Sequence, residues 1–206
     1  MPNERDIHRF FQVFFDYVRL LIDIPEGDQE ICKRFFKPVF VKKDTILEKA
    51  GQVHNHLNFI VSGYMRNYHI NEAGEEIVSD INDGPRFFAS YNHYINRTPS
   101  HEYLHCITDC ELLRISRDDS DLSAQLGQTQ MEYNLLILQE SLEEGKQRSI
   151  DFSTLSAEER YHKLAKNHPR IIQNIPLKYI ASYIGINPGS LSRIRKNGTR
   201  SISSQM

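Results

Sequence analysis

The sequence has few of the features that mark secreted or membrane-spanning chains. Its three cysteines, Cys32, Cys106 and Cys110, lack the paired spacing of a disulfide framework. No charged and then apolar signal segment follows Met1. The most apolar early stretch, residues 10–24, contains four polar or charged residues and lacks the ~20 mostly apolar residues of a membrane span. We therefore expect a cytoplasmic protein in which residues 10–24 form an amphipathic helix packed on the body.

Enzyme signatures are missing as well. The sequence contains no P-loop, no dinucleotide-binding fingerprint and no recognisable pairing of a nucleophile with a base. These absences exclude the commonest motif-bearing catalytic classes. We expect a protein that is not an enzyme.

Net charge is also small, because 25 Lys and Arg nearly balance 27 Asp and Glu to give -2. Such an average argues against a chain that binds nucleic acid or an anionic membrane. The average conceals an asymmetry: residues 1–152 hold 16 basic and 25 acidic residues, net -9, and residues 153–206 hold 9 and 2, net +7. This asymmetry predicts two domains with different partners and hints at nucleic-acid contact by the second.

Residues 39–116 have the pattern of short β-strands. Segments 56–61, 64–70 and 76–81 are rich in β-branched and aromatic residues, and turn signals containing Gly or Asn separate them. Short strands at regular spacing predict an antiparallel sandwich or jelly roll.

A long helix with two apolar faces is predicted after the strands. Ser116 can cap a short helix that ends near Gly127. Over residues 128–150, apolar side chains at a 4-3-4 spacing form a seam, while Leu136 and Ile137 widen it toward a second surface. One stripe would pack on the β domain and the other on a second subunit. The alternative is an ordinary core helix. Two to three heptads are too few to decide between the two interpretations. The seam consists of Met131, Leu135, Leu138 and Leu142.

Residues 177–196 have the spacing of a helix-turn-helix. Asn187 and Pro188 fit the N-cap and first position of the second helix. Gly185 permits the positive φ of a sharp turn, and Ala181 is small enough for the helices to cross closely. A plain helical hairpin is the alternative, and the basic charge favours the DNA-binding motif. The residues expected to contact DNA are Lys178, Asn187, Ser190, Ser192, Arg193, Arg195 and Lys196.

Between the long helix and this motif, residues 151–155 are the predicted hinge. Ser156 and Glu159 then open a new helix as a capping box, and Pro169 ends it. The basic segment therefore begins as a separate helical unit.

Taken together, these parts resemble the Crp/Fnr family of bacterial transcription regulators over nearly the whole chain, most specifically over residues 180–196. The resemblance implies an α+β fold with an N-terminal helix and a cyclic-nucleotide-binding-like β jelly roll as sensor at 1–127. A long dimerisation helix with hinge would follow at 128–152, and an all-α helix-turn-helix DNA-binding domain at 153–206. It implies double-stranded operator DNA, a second copy of the chain, RNA polymerase and an unknown small-molecule effector as partners, with no membrane partner.

The sequence departs from the family in the cassette that holds the cyclic phosphate of nucleotide-binding members. Their glutamate falls on Ala89, their arginine falls on Pro99, and only Ser100 matches. The family resemblance makes cyclic AMP a candidate cofactor. These residues argue against it, because burying a phosphate without a guanidinium partner costs free energy. Arg97 is the available substitute for the arginine. The predicted effector pocket comprises Phe88, Ala89, Ser90, Arg97, Thr98, Pro99 and Ser100.

The DNA-reading part departs too. Members related to the catabolite regulator often carry Arg and Glu where this chain has Pro188 and Gly189, whereas Arg193 matches a base-contacting Arg. The operator sequence therefore does not transfer. Residues 197–206 are too few for the winged hairpin that usually follows, and we expect them to be a polar, frayed tail.

The competing class is a jelly roll that binds a small ligand or metal, cupin-like, without DNA function. His54 and His56 would share a strand face, but no glutamate follows where the cupin pattern requires one; a solvent-exposed turn is the other interpretation. A second group comprises His101, His105, Cys106 and Cys110. Its histidines and cysteines would lie on opposite faces of a strand, so structural cysteines are favoured and no metal is assigned.

Overall fold

The computed structural model describes residues 3–82 and 84–203. Two groups of helices flank a block of eight strands within this part of the chain. The elements are α1 Glu4–Val18, α2 Glu26–Phe35, β1 Lys37–Val41, β2 Ile46–Glu48, β3 His56–Ser62, β4 Met65–Ile70, β5 Glu76–Ile81, β6 Arg86–Phe88, α3 Tyr91–Asn96, β7 Tyr103–Cys106, β8 Cys110–Ser116, α4 Arg117–Leu126, α5 Gln130–Thr154, α6 Ala157–Asn167, α7 Pro169–Asn174, α8 Leu177–Tyr183 and α9 Pro188–Ser203.

The strands form two four-stranded antiparallel sheets, with the orders β1-β8-β3-β6 and β2-β7-β4-β5. Phe59 and Leu113 are register partners on β3 and β8, and both are fully buried. Strand β3 is buried on both faces: Phe59 packs with the aromatic residues of α1, and Ile60 packs with Leu104 of the second sheet. The predicted jelly roll is confirmed, and β5 is an edge strand of the second sheet.

Helix α1 covers the first sheet with aromatic side chains. Phe10 and Phe14 are fully buried, and the ring centroid of Phe14 lies 5.1 Å from that of Phe59. The amphipathic helix expected over residues 10–24 is present, but it begins and ends six residues earlier. It starts early because the side chain of Asn3 caps it.

Two other predicted helix starts are confirmed. The hydroxyl of Ser116 accepts a hydrogen bond from the amide of Asp119 at 3.1 Å. Ser156 and Glu159 form the expected capping box, with amide-to-side-chain distances of 3.3 and 2.8 Å. Pro169 ends α6 as predicted, yet it also occupies the first turn of α7, a helix that the sequence patterns did not indicate.

Helix α5 passes through the segment that was predicted as a hinge. The amide of Leu155 donates to the carbonyl oxygen of Asp151 at 3.0 Å, which continues the helical hydrogen bonding through residues 151–154. The hinge over residues 151–155 is therefore wrong in extent, since only two residues separate α5 from α6. Tyr133 and Ile137 are buried among the aromatic residues of the first sheet and α1.

The C-terminal helix is longer than expected. Helix α9 continues to residue 203, so the frayed tail expected over residues 197–206 is helical as far as the description extends, and residues 204–206 lie outside the described residues. Among the residues described, none of the helices has the combination of length and apolarity that a bilayer crossing requires.

Candidate nucleic-acid interface and effector cavity

Helices α8 and α9 meet across a sharp turn at Gly185. This residue has a φ of 72°, and a Cβ there would overlap the ring of Phe152 at the end of α5. The amide of Ile186 donates to the carbonyl oxygen of Ala181 at 2.9 Å, and Ala181 is fully buried. The glycine thus satisfies two requirements, a left-handed backbone and a close approach of the long helix. The geometry expected of this turn from the sequence is present.

The outward side of α9 is polar and basic. The exposed members of the predicted DNA-contacting set are Lys178, Asn187, Ser192, Arg193, Arg195 and Lys196. Ser190 is half-buried, and its hydroxyl accepts a hydrogen bond from the guanidinium of Arg193 at 3.2 Å. The side chain of Asn187 accepts from the amide of Ser190 at 2.8 Å and so caps the helix. The sequence contains no acidic residue after Glu159, so no carboxylate from this segment opposes the basic face.

Helix α8 docks on the edge strand β5 of the sensor. The hydroxyl of Ser182 donates to the carbonyl oxygen of Glu76 at 3.0 Å and accepts from the amide of Val78 at 2.9 Å. The guanidinium of Arg148, on α5, donates to the carbonyl oxygens of Val78 and Tyr183. Backbone groups that an edge strand would otherwise leave unpaired are therefore satisfied by α5 and α8.

Arg66 is the second contact between the sensor and α8. It is 2% exposed, and its guanidinium carbon lies 4.0 Å from the ring centroid of Tyr68 and 3.8 Å from that of Tyr179. One nitrogen lies 2.6 Å from a carboxylate oxygen of Glu76, and Nε donates to Nδ1 of His105 at 3.0 Å. Burial and the Arg66 charge lower the pKa of His105. The sequence did not single out Arg66, Tyr68 or Tyr179, and it indicated His105 only as a candidate metal or redox group.

A cavity of about 750 Å³ lies between the sensor and the C-terminal helices. Strand β5, helix α3, helix α5 and helix α6 contribute to its wall. Its apolar lining includes Ile81, Ala89, Ile95, Leu138, Leu142 and Phe152. A space of this size accommodates a small molecule with a substantial apolar body.

The polar end of the cavity is centred on Glu102. One carboxylate oxygen accepts from the hydroxyl of Ser79 and the other from that of Ser90, each at 2.5 Å. Its own amide donates to the hydroxyl of Ser100 at 3.0 Å. Asn67 lines the same region and donates its side-chain amide to the carbonyl oxygen of Ala89 at 3.2 Å. Neither Glu102 nor Asn67 was singled out from the sequence.

Most charges around the cavity are paired with one another. Arg86 lies 3.4 Å from Asp80 and 2.9 Å from Glu144, and although burial opposes it, these carboxylates raise the pKa of Arg86. Lys163 lies 2.6 Å from Asp151, and although burial opposes it, the hydrogen bonds from Lys163 and Gln147 together with the neighbouring positive charges lower the pKa of Asp151. The cavity therefore contains a network of ion pairs between α5, α6 and the sensor.

The predicted effector residues are divided between the cavity and its surroundings. Ala89 and Ser90 line the cavity, and Ser100 lies beneath them with its hydroxyl 3.2 Å from that of Ser90. Arg97 adopts a φ of 52° and pairs with Asp118 at 2.8 Å on α4, outside the lining. The remaining members outside the lining are Phe88, Thr98 and Pro99. Arg97 thus does not stand in for the missing arginine of the cassette.

No group of three His, Cys, Asp or Glu side chains in the described parts of the chain is arranged to hold a metal ion. His54 is 2% exposed, so its interpretation as a solvent-exposed turn is wrong. Its Nδ1 and that of His56 approach Glu48 at 3.2 and 3.6 Å, but Arg114 already pairs with this carboxylate at 3.2 Å. All three cysteines are buried free thiols, and burial raises the pKa of Cys32 to about 12.

The predicted dimer seam is largely exposed in the single chain. Met131, Leu135 and Leu142 are 68%, 64% and 66% exposed, although apolar side chains of this size are usually buried. Leu138 is half-buried and lines the cavity with Leu142. The opposite face of α5 packs on the sensor, so the helix has the two surfaces that its sequence predicts.

Comparison with known proteins connects these features to a family of domains. Residues 38–121 match the family described as "Cyclic nucleotide-binding domain". A search of curated proteins finds no match to the sequence. The fold, by contrast, matches many solved structures.

Three of those structures illustrate the likeness. The c-di-GMP responsive global regulator CLP of Xanthomonas campestris has a TM-score of 0.68 at 15% identity, with 86% of this chain and 93% of that chain covered. FixK2 of Bradyrhizobium japonicum gives 0.67 at 15% identity, with 81% and 86% covered. The catabolite activator protein of Thermus thermophilus gives 0.54 at 16% identity, with 88% and 87% covered. The resemblance to the Crp/Fnr family is therefore confirmed at the level of the fold.

Proposed function

We propose that this chain, which folds like those regulators, is a DNA-binding transcription regulator of the Crp/Fnr type. The observation that carries the proposal is the outward face of α9, where Arg193 and Lys196 are exposed one turn apart on a helix that Asn187 caps. A helix of this kind fits the major groove, with arginine able to pair with guanine and lysine with phosphate. The net charge of +7 over residues 153–206 supports the same conclusion.

The functional unit in this proposal is a homodimer. The exposed stripe of Met131, Leu135 and Leu142 supports it, because a second copy of α5 would bury three large apolar side chains. A twofold axis along the α5 helices would present two copies of α9 to half-sites about 34 Å apart. The expected target is accordingly a roughly palindromic operator in double-stranded DNA.

The sensor, in the same proposal, responds to a small molecule other than a cyclic nucleotide bound in the usual way. Ala89 and Pro99 stand at the positions of the phosphate-cassette glutamate and arginine, and Arg97 is paired with α4. Docking of α8 on β5 gives the sensor a direct mechanical connection to the DNA-binding helices. RNA polymerase as a partner and the cytoplasm as location complete the proposal.

Selection from a genomic DNA library at several salt concentrations tests this function. A sequence-specific regulator retains a preferred motif as salt rises, because base contacts persist after phosphate contacts weaken. We expect an enriched, roughly palindromic motif. A flat distribution that salt abolishes entirely would contradict the proposal and favour a ligand-binding jelly roll without DNA function.

A further inference from the structure

We propose that the cavity between the sensor and α5 binds an amphipathic primary amine, with its ammonium group at Glu102 and its apolar body along α5. The inference rests on the proposed function only in treating this molecule as an effector of DNA binding. The binding site itself follows from the charges, hydrogen bonds and space around Glu102 and Asn67.

Glu102 differs from the other carboxylates that line the cavity. Asp80 and Glu144 pair with Arg86, and Asp151 pairs with Lys163. Within the described part of the chain, Glu102 has no lysine or arginine partner, and its carboxylate accepts only from the hydroxyls of Ser79 and Ser90. Two hydroxyls leave lone pairs on both oxygens and leave the negative charge without a counter-charge. A ligand ammonium supplies hydrogen-bond donors for those lone pairs and the missing positive charge.

Asn67 adds a second acceptor in the same region. The residue is 3% exposed and lines the cavity, and its amide group is oriented by the hydrogen bond to Ala89. Its side-chain oxygen has no hydrogen-bond partner among the described residues. A buried acceptor without a donor costs free energy, and a ligand N–H removes that cost. The Glu102 carboxylate and the Asn67 side-chain oxygen can therefore both accept a hydrogen bond from a ligand.

Among the described residues, an anionic ligand has no comparable partner at this end. Arg86 and Lys163 are already held by carboxylates. Arg148 donates to the carbonyl oxygens of Val78 and Tyr183, so freeing it would remove hydrogen bonds that help to dock α8 on β5. Arg160 donates to the carbonyl oxygens of Ile184 and Leu155. A phosphate or carboxylate beside Glu102 would also meet the negative charge of that residue. The charge distribution of the cavity thus selects against cyclic nucleotides and for cations.

The rest of the cavity fits an apolar body. Ile81 and Ala89 of the sensor line it, and so do Leu138 and Leu142 of α5. Leu142 also belongs to the exposed seam, so an occupant of the cavity contacts a residue that faces the second subunit. Ligand binding would therefore alter the position of a seam residue directly, with no change in the core of the jelly roll.

Calorimetry of the full chain with four probes tests the proposal. Tryptamine offers an ammonium on an apolar ring, tryptophol replaces the ammonium by a hydroxyl, 3-indolepropionate replaces it by a carboxylate, and cyclic AMP offers the phosphate. We expect saturable binding of tryptamine, at least about tenfold weaker binding of tryptophol, and no saturable heat from the two anions. Glu102→Gln, which keeps the size of the side chain and one acceptor oxygen but removes the charge, should weaken tryptamine binding by at least about tenfold, whereas Glu132→Gln on the exposed side of α5 should leave it unchanged.

The proposal is overturned if tryptamine gives no saturable binding, if tryptophol or an anion binds as well as tryptamine, or if Glu102→Gln binds tryptamine like the native protein. The comparison among probes uses only the native chain, so it decides the matter even if a variant fails to fold. No DNA is present in these titrations. Their failure therefore leaves the proposed DNA binding intact, and failure of the DNA selection leaves an amine site intact.

Discussion

Ser182, on the first helix of the α8–α9 pair, donates its hydroxyl to the main-chain oxygen of Glu76, on an edge strand of the sensor, at 3.0 Å. The two residues are separated by more than one hundred positions in the sequence. The same hydroxyl accepts from the amide of Val78, so one small side chain satisfies two backbone groups of β5. An edge strand exposes a row of such groups, and here α8 takes the place of a further strand. The sensor sheet and the DNA-binding helices are thus connected by direct hydrogen bonds.

Removing this hydroxyl should loosen the docking of α8. Ser182→Ala leaves the buried amide of Val78 without its acceptor, at a cost of about 1–3 kcal/mol. Hydrogen exchange at that amide should become faster, because opening of the contact precedes exchange. Ser192→Ala, on the exposed side of α9, serves as the control and should not change it. An unchanged exchange rate in Ser182→Ala would show that α8 does not protect β5.

Acidification should destabilise the fold through His105, which contacts Arg66 and Tyr179 where the sensor meets α8. Burial, followed by the charge of Arg66, lowers the pKa of His105 below its ordinary value of 6.5. The unfolded chain therefore binds a proton at a higher pH than the folded chain does. The contribution is fully present above pH 6.5 and is lost as the pH falls from there toward the folded-state pKa. Asp44, Glu76 and Lys178 also act on this ring, the two carboxylates favouring protonation and the lysine opposing it.

Urea denaturation at pH 7 and pH 5.5 measures this effect. Between these pH values, His105→Gln should lose less stability than the native chain, since a glutamine oxygen can still accept from Arg66 and does not titrate. His162→Gln, at an exposed position on α6, should behave like the native protein. If native and His105→Gln proteins lose the same free energy of unfolding, the lowered pKa has no part in acid sensitivity.

Cyclic nucleotides should not bind to the native chain. With Pro99 in place of the cassette arginine and Arg97 paired with α4, a buried phosphate would remain unneutralised. Calorimetry with cyclic AMP and with cyclic GMP should give no saturable heat. Micromolar binding of either would refute the interpretation of Ala89 and Pro99.

Local patterns were sufficient for much of the fold. The caps at Ser116 and Ser156 and the turn at Gly185 were predicted because each depends on residues within a few positions of one another. The strand pattern likewise predicted the jelly roll, since β-branched and aromatic segments separated by turn residues can be recognised along the chain. The extent of α5 was wrong because continued helical hydrogen bonding through residues 151–154 has no distinctive sequence signal.

Long-range contacts could not be predicted in this way. Arg66 meets Tyr179 across the interface between sensor and helices, and no periodicity connects these two positions. Glu102 lies two residues after Ser100, the last cassette position compared with the family pattern, so that comparison did not include it. Arg97 was considered from its sequence position alone, whereas its positive φ directs it to Asp118 on α4. Side-chain direction in the folded chain decided each of these cases.

Charge placed in the seam of α5 should separate the proposed dimer. Leu135→Asp with Leu142→Asp introduces two carboxylates on the exposed stripe, where a facing helix would have to desolvate them. Sedimentation should then report a monomer with native circular dichroism. Leu20→Asp, which alters another exposed leucine far from the stripe in sequence, should remain dimeric. A dimer that persists in the double variant would place the interface elsewhere.

Arg193→Ala should relax base preference at one position of each half-site. If its guanidinium pairs with guanine, the loss should cost about 1–3 kcal/mol and appear as tolerance of other bases there. Arg170→Ala, which removes an exposed positive charge from α7, is the matched control and should weaken all sequences to a similar small extent. Competition binding with an operator and its single-base variants distinguishes the two effects. Equal affinity and an unchanged motif for Arg193→Ala would show that base recognition lies with other residues of α9, because the capping role of Asn187 and the fold of the helix do not depend on the Arg193 side chain.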